Sequence, residues 1–275
     1  MRFCSKSKVA AFVGVLALGL IVSVCLSHKV YAQSSTNLVL YDNFDERFLD
    51  PSRWIPNSVC FLGSTLECVR EIQEDRLRLA VRNYGAPNSN QGTQFDLSEV
   101  HFTNPARIRS IATQFAVRRA SVASCPTNPG VAHAGALITG RFFNSGSGTA
   151  DDDVQAFLAF EHFTSDPVGV IEVGAFLQWQ GRFFGDVGLG SVTVGQKVIA
   201  QLSWDQPHHQ FVASWTDVVT GKVTQVLLPY TMPDTTPEAT TDKLLGVRGF
   251  PLNCVGSQTT FADVEAGFDK VWIGN

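Results

Sequence analysis

The chain has 275 residues, 44% of them hydrophobic, and its 21 Lys and Arg against 25 Asp and Glu give a net charge of −4. The first 32 residues contain four of the bases and no acid, so residues 33–275 carry 17 bases against 25 acids, a net charge of −8. This acidic balance, without a basic cluster, argues against a nucleic-acid partner and against anionic lipids.

Residues 1–32 have the pattern of a signal peptide. A basic start is followed by the uncharged apolar run Val9–Leu26 and the small-residue site Val30–Ala32, which places cleavage after Ala32. We therefore predict a secreted or periplasmic protein with residues 33–275 as its one domain. An uncleaved membrane anchor is the alternative, because about 18 apolar residues are near the minimum for a span. A lipoprotein at Cys25 is disfavoured by the large Val24 before it.

The rest of the chain shows period-2 alternation and β-branched runs, and helical periodicity is hard to find. Strands are predicted, in chain order, over Asn37–Tyr41, Arg76–Arg82, Ala106–Arg118, Ala136–Phe143, Val154–Phe163, Gly169–Trp179, Lys197–Trp204, Gln210–Asp217, Lys222–Leu228 and Glu265–Ile273. Hairpin connections are predicted at Trp204–Phe211 and Asp217–Gly221. With 23 Gly and 12 Pro, this spacing predicts an all-β fold, a two-sheet antiparallel β-sandwich or jelly roll.

Two longer loops interrupt this pattern. The segment Asn144–Asp153, "NSGSGTADDD", is predicted to be flexible, with its acids at a solvated tip. The segment Pro229–Lys243 is rich in Thr and Pro and is predicted to lie across the sandwich surface. No repeat, linker or second domain is visible in the sequence.

Four cysteines remain after residue 32. An even number in an exported chain indicates disulfides. Of the three possible pairings we favour a local Cys60–Cys68 bridge and a long-range Cys125–Cys254 bridge. A zinc site is the alternative, but the CxxC spacing is missing and an oxidising compartment disfavours free thiolates.

The stretch "LVLYDNFDERFLDPSRW" resembles the first strand and turn of concanavalin A-like lectin/glucanase domains. The matching residues are Phe44, Leu49, Asp50, Pro51 and Trp54. Three further stretches agree in order: "EDRLRLAV" (74–81), "VGQKVIAQLSWDQPHHQFVASW" (194–215) and "AGFDKVWIGN" (266–275). The resemblance implies a concanavalin A-like jelly roll in which Phe44 and Trp54 anchor the first strand and Asp50-Pro51 shape the turn after it.

A distant similarity to the family-16 glycoside hydrolases implies that the first and last strands lie side by side. In that family a structural calcium often bridges these strands, held partly by an Asp that corresponds to Asp269. A carboxylate and neighbouring carbonyls are oxygen ligands of the kind that calcium prefers. We therefore expect a possible structural calcium at Asp269, near Asp42 and Asn43; the other interpretation is that Asp269 caps the strand or pairs with a base. No cofactor is otherwise required.

The catalytic motif of that family, Glu-x-Asp-x-Glu, is missing. It would place three carboxylates on one side of a strand, with two of them about 5 Å apart for a retaining reaction. The acids of the chain do not form such a set: Asp96 and Glu99 are three apart, Glu161 and Glu172 each stand alone, and Asp263 with Glu265 lie beside the last strand. We therefore favour a protein without catalysis.

Other chemistries have weaker support. No Gly-x-Ser-x-Gly elbow is present, and His208-His209 fit a solvated turn better than a metal site. A polysaccharide lyase would need a His or Tyr base with Arg and Gln to neutralise a uronate. Such residue types are present, but no sequence pattern brings them together: His101, His162, Gln178, Arg141 and Arg182.

Binding of a glycan fits the residues better. A sugar ring combines an apolar face with hydroxyl edges, so its site needs aromatic platforms beside planar polar groups. The strand "GAFLQWQGRFFGD" has this mixture, with Phe176, Gln178 and Gln180 on one face and the Gly181 turn after them, although alternate aromatics on a strand are more often core. The candidate ligand-binding residues are Gln178, Gln180, Arg182, Arg141 and Glu172.

We therefore expect a carbohydrate-binding, lectin-like domain that meets a polysaccharide or glycan of the cell envelope or the extracellular space. The first alternative is a glycoside hydrolase or polysaccharide lyase with a non-standard active site. The second is a structural or adhesive module that presents one sheet face to another protein. No membrane contact is expected after cleavage of the signal peptide.

Overall fold

A computed structural model of the chain describes residues 37–55, 66–256 and 259–275. Strands in these residues are β1 (Val39–Asp42), β2 (Trp54–Ile55), β3 (Leu66–Ile72), β4 (Leu77–Tyr84), β5 (Asp96–Phe102), β6 (Ser110–Val122), β7 (His133–Asn144), β8 (Asp153–Phe163), β9 (Val170–Trp179), β10 (Arg182–Thr193), β11 (Val198–Asp205), β12 (Gln210–Asp217), β13 (Val223–Pro229), β14 (Lys243–Phe250) and β15 (Phe261–Gly274). The predicted signal peptide and the Cys60–Cys68 bridge fall outside the described residues.

The strands form two antiparallel sheets. The first sheet has the order β13-β12-β11-β6-β15-β4-β3, and β1 pairs with the C-terminal half of β15 beside it. The second sheet has the order β10-β9-β8-β7-β14-β5-β2. The all-β, two-sheet antiparallel sandwich that the sequence predicts is therefore confirmed, and so is the pairing of the first strand with the last.

The core fills the space between the sheets because successive residues of a strand point to opposite faces. In β7 the alternating residues Ala134, Ala136 and Ile138 belong to the core, as do Phe142 and Phe143 near its end, and in β8 every second residue from Val154 to Phe160 contributes. Each strand of the second sheet therefore sends its alternate side chains away from the core. These outward side chains build the candidate site.

The stretch after β1 anchors that strand as predicted. Phe44 and Trp54 are buried and stack at 5.9 Å between ring centroids. The indole N–H of Trp54 donates to the buried carboxylate of Asp42 (2.6 Å), which also accepts the amide N–H of Phe44 (2.8 Å). The carbonyl of Asp50 accepts the amide N–H groups of Arg53 and Trp54, so Asp50 shapes the turn.

Five strands were missed by the sequence analysis. They are β2, β3, β5, β10 and β14. Glycines interrupt the patterns of β10 and β14, and glycine weakens a strand signal because it offers no side chain to pack. In β5 the alternation of Ser98, Val100 and Phe102 toward the core is present, but the outward Glu99 and His101 make the strand short of hydrophobic residues.

The acidic loop between β7 and β8 corrects one expectation. Asp151 is exposed as predicted, but Asp153 is buried. Its carboxylate accepts the amide N–H groups of Ala239 (2.7 Å) and Thr240 (2.8 Å). Asp153 therefore attaches the segment between β13 and β14 to the start of β8.

The disulfide Cys125–Cys254 is present as predicted and joins two positions 129 residues apart. It ties the connection between β6 and β7 to the connection between β14 and β15. None of the helices in residues 37–55, 66–256 and 259–275 has the length and hydrophobicity of a membrane span.

Candidate functional site: a groove on the second sheet

The outward face of the second sheet carries a groove of about 430 Å³. It crosses the strands from β5 through β14, β7, β8 and β9 to β10. The lining residues combine aromatic, aliphatic, amide and charged side chains: Phe95, Leu97, Glu99, Leu137, Thr139, Gln155, Phe157, Gln178, Phe183, Asp242, Leu244, Gly246, Val247, Arg248 and Phe250. We call this set the groove.

Small residues keep the floor of the groove low. Gly246 of β14 lies opposite Glu99 of β5 on one side and opposite Leu137 of β7 on the other. Leu137 in turn lies opposite Ala159 of β8, which lies opposite Gly174 of β9. A Cβ at Gly246 would come within 3.3 Å of the Cβ of Glu99. Glycine at this position therefore leaves room beside the Glu99 side chain.

An aromatic group stands at the β8–β10 end of the groove. Phe157 and its cross-strand partner Phe176 stack at 4.7 Å with an interplanar angle of 16°. Phe183 of β10 meets Phe176 edge-on at 5.4 Å and is 43% exposed. Phe157 is buried by its neighbours, so Phe183 is the ring of this group that presents most of its surface to solvent.

A second aromatic group stands at the β5–β14 end. Phe95, just before β5, packs on Phe250 of β14 at 4.7 Å and is 50% exposed. The imidazole of His133 also stacks on Phe250, at 4.1 Å between ring centroids. The groove thus has a half-exposed phenylalanine at each end.

Arg248 lies between the two aromatic groups. Its guanidinium sits 5.5 Å from the ring centroid of Phe250 and 6.0 Å from that of Phe157. Its Nε donates to Oε1 of Glu161 (2.8 Å), and its Nη2 lies 2.6 Å from the same oxygen in an ion pair. Burial alone would raise the pKa of Glu161, but the charges of Arg248 and His133 outweigh it and lower that pKa. Glu161 is therefore ionised and neutralises Arg248.

A second charged group bridges β5 to the segment before β14. The imidazole of His101 contacts Oε1 of Glu99 through Nε2 (2.6 Å) and Oδ1 of Asp242 through Nδ1 (2.7 Å). Burial alone would lower the pKa of His101, but the hydrogen bonds to Asp242 and Glu99 raise it to about 9. His101 is therefore a cation at neutral pH, held between two carboxylates.

Among the five residues predicted to bind a ligand, only Gln178 lines the groove. It lies opposite Gln155 of β8 and Phe183 of β10. Gln180 does not share its face, because β9 ends at Trp179 and Gln180 occupies the turn with φ 50°. The Gln180 side chain donates to Asp152 (2.7 Å), and Arg182 begins β10 in an exposed position. The expectation that Gln178 and Gln180 point the same way was wrong.

Arg141 and Glu172 lie on the outward face but outside the groove. Arg141 is opposite Gln155 and forms an ion pair with Asp153 at 3.7 Å. Glu172 is opposite Glu161, and burial, with the nearby charge of Asp166, raises its pKa. The five residues predicted to bind a ligand therefore do not meet at one point. Ligand contacts by Arg141 and Glu172 stay a prediction.

The surroundings of Asp269 do not fit a calcium ion. Its carboxylate contacts Nζ of Lys197 (3.1 Å), Nε of Arg76 (3.4 Å) and the amide of Gln114 (3.0 Å) on the outer face of the first sheet. Two positive side chains would repel a divalent cation. Among the described residues no group of three or more His, Cys, Asp and Glu could hold a metal. Calcium at Asp269 stays an untested prediction that this geometry does not favour.

The other residues considered for chemistry are also engaged elsewhere. The imidazole Nδ1 of His162 contacts the backbone carbonyl of Val170 at 2.8 Å. Asp263 is bonded by Arg82 and Arg119, and Glu265 by Arg78, on the first sheet. These two acids therefore take part in an ion-pair ladder on the sheet opposite to the groove.

The residues that the sequence analysis missed come mostly from β5, β14 and β8. They are Phe95, Glu99, Asp242, Arg248, Phe157 and Phe183 in the groove, with His101 and Glu161 behind them. The alternation of "DLSEVHF" could have predicted that Leu97, Glu99 and His101 share a face. No local pattern could have placed that face beside Arg248, because the two lie about 150 residues apart in sequence and meet through strand pairing.

Comparisons with known proteins identify no family. No protein-family model matches the sequence, and no curated protein is significantly similar to it. Among solved structures, lectin II from Ulex europaeus is 11% identical and covers 82% of this chain and 98% of its own, with a TM-score of 0.38. An endo-β-galactosidase from Clostridium perfringens that releases GlcNAcα1-4Gal is 8% identical, covers 88% and 63%, and has a TM-score of 0.42. The Scytalido-glutamic peptidase is 12% identical, covers 62% and 72%, and has a TM-score of 0.39.

Proposed function

We propose that this protein is an exported carbohydrate-binding domain that holds a glycan in the groove of the second sheet without catalysis. One observation carries the proposal: half-exposed phenylalanines and side-chain amides face a common groove on the outward face of the second sheet. The predicted signal peptide and the disulfide Cys125–Cys254 support export, since disulfides persist in oxidising compartments.

The chemistry of the lining suits a sugar. The apolar face of a pyranose ring packs on an aromatic ring, and Phe95 and Phe183 each present about half of their surface. The hydroxyl edges need groups that both donate and accept, and an amide side chain does both. Gln155 and Gln178 supply such groups in the wall between the phenylalanines, and the Gln155 amide is oriented by a hydrogen bond to Oγ1 of Thr139 (3.0 Å).

The acids of the groove support binding better than turnover. A glycosidase of the usual kind needs one carboxyl group that can give a proton and a second that is free to act as nucleophile or base. Glu99 and Asp242 both contact the protonated His101, and Glu161 forms a hydrogen-bonded ion pair with Arg248. Each of the three carboxylates is therefore engaged by a basic side chain.

Direct binding measurements test the proposal. The protein, purified after export from a bacterial host, is screened on a glycan array, and the hits are titrated by calorimetry. Gln178→Ala is expected to weaken binding about tenfold or more through the loss of a groove amide. Gln180→Ala is the matched control, because Gln180 lies in the next turn and bonds to Asp152, and its affinity should equal that of the unmodified protein.

The outcomes separate the proposal from its alternatives. If both variants lose the same affinity for the glycan, or if neither variant loses affinity, the ligand binds away from the groove. Release of reducing ends or of unsaturated uronates from a bound polysaccharide would identify an enzyme in place of a binding domain. No response to any envelope or plant glycan would leave the structural or adhesive module as the better description.

A further inference from the structure

We propose that the ligand of the groove is an extended, uncharged glycan chain that lies across the strands from Phe95 to Phe183. This inference rests on the proposed function and specifies its ligand class. It excludes two other kinds of glycan: a short terminal sugar bound at one point, and a chain that carries carboxylates or sulfates.

The order of the strands sets the length of the glycan. Phe95 stands just before β5, and Phe183 is on β10, with β14, β7, β8 and β9 between them. Neighbouring strands are about 4.8 Å apart, so five spacings place these two strands about 24 Å apart. A monosaccharide or disaccharide is much shorter than this separation of the two strands. A chain of several sugars can stack on both at once.

The ion pairs of the groove indicate that the glycan is uncharged. Its charged lining residues are Glu99, Asp242 and Arg248. Arg248 is the one cation among these described lining residues, and Glu161 already pairs with it through a hydrogen bond to Nε and a close ion-pair contact to Nη2. His101 carries a positive charge, but it is held between Glu99 and Asp242.

A polyanion would therefore meet a groove whose cations are already paired and whose carboxylates repel it. An anion that drew Arg248 away from Glu161 would leave the Glu161 carboxylate buried without its counter-ion, which is unfavourable. An uncharged chain needs neither step. It can use the phenylalanine rings and the amides as they stand.

The test compares chain length and charge with the same protein. Disaccharides and hexasaccharides of β-1,4-linked glucose, xylose, mannose and N-acetylglucosamine are titrated beside hexasaccharides of galacturonate, mannuronate and guluronate. Phe95→Ala and Phe183→Ala remove the rings at the two ends. Phe48→Ala is the matched control, because Phe48 is 82% exposed and lies outside the groove.

We expect at least one neutral hexasaccharide to bind. The disaccharide of the same sugar should bind at least about tenfold more weakly, and the uronate hexasaccharides should not bind. Each groove variant should lose about three- to tenfold in affinity for the hexasaccharide, and Phe48→Ala should lose none. Preferred binding of a uronate, equal binding of the disaccharide, or loss in one groove variant alone would overturn this inference and leave glycan binding intact. No binding of any sugar, neutral or acidic, would overturn the proposed function itself.

Discussion

Replacing His101 by Gln should remove a pH-dependent part of the stability of the fold. In the folded protein the imidazole is held between Glu99 and Asp242, and these hydrogen bonds outweigh the effect of burial and raise its pKa from 6.5 to about 9. A group whose pKa is raised on folding stabilises the native state while it is protonated. The contribution is therefore complete below pH 6.5 and is lost as the pH rises to about 9.

The size of the effect follows from the shift. A rise from 6.5 to about 9 corresponds to an upper bound of about 3 kcal/mol, because each pKa unit is worth about 1.4 kcal/mol. The His101 side chain is 21% exposed, so solvent screens part of the interaction. We expect the free energy of unfolding to fall by about 2 kcal/mol between pH 6 and pH 9.5 through this residue.

Urea denaturation at several pH values measures this difference. The unmodified protein and His101→Gln are compared across the range, so that the contributions of all other titrating groups cancel. The variant should be less stable by about 2 kcal/mol at pH 6, and the gap should close as the pH approaches 9.5. A constant gap over this range, or an NMR titration of His101 with a midpoint near 6.5, would show that the two carboxylates do not hold the proton.

Two further perturbations test contacts that support the groove and the fold. Glu161→Gln keeps the side-chain shape but leaves the charge of Arg248, a side chain that is 13% exposed, without its counter-ion. The free energy of unfolding in urea should therefore fall by about 3 kcal/mol. Glu71→Gln, at an exposed ion pair, is the control and should change the stability by less than about 1 kcal/mol. Equal effects of the two Glu variants would contradict the burial argument. Replacing Cys125 and Cys254 together by Ser should cost about 3–5 kcal/mol, because the bridge closes a long loop in the unfolded chain, and a Tm within a few degrees of the unmodified protein would contradict it.

The β-sandwich could be predicted from the sequence because alternating hydrophobic residues mark the buried face of a strand. β12 was predicted with its observed bounds, Gln210–Asp217, and β8 and β9 were each predicted to within one residue. These strands have aliphatic or aromatic residues on the inward face and clear turns at both ends. Strands without those features were missed, as β10 shows with its glycines at positions 185, 188 and 190.

Only part of the candidate site could be predicted from the sequence. Gln178 was found because its strand alternates clearly and aromatic residues surround it in sequence. Gln180 was misplaced because one residue past the end of β9 the backbone turns to positive φ and the alternation stops. Arg248, Glu161 and Asp242 gave no local signal, since each acquires its role from a partner on another strand.

The register of the second sheet explains why the site and the fold depend on each other. A shift of β5 by one residue would send Glu99 and His101 into the core and bring Val100 to the groove. The contact of His101 with Asp242 opposes such a shift, because it joins β5 to the segment before β14 and would be broken. Substitutions of these charged residues therefore change the sheet as well as the groove. Phe95, Phe183 and Gln178 line the groove outside these ion pairs, so their variants report on the ligand with the least disturbance of the sheet.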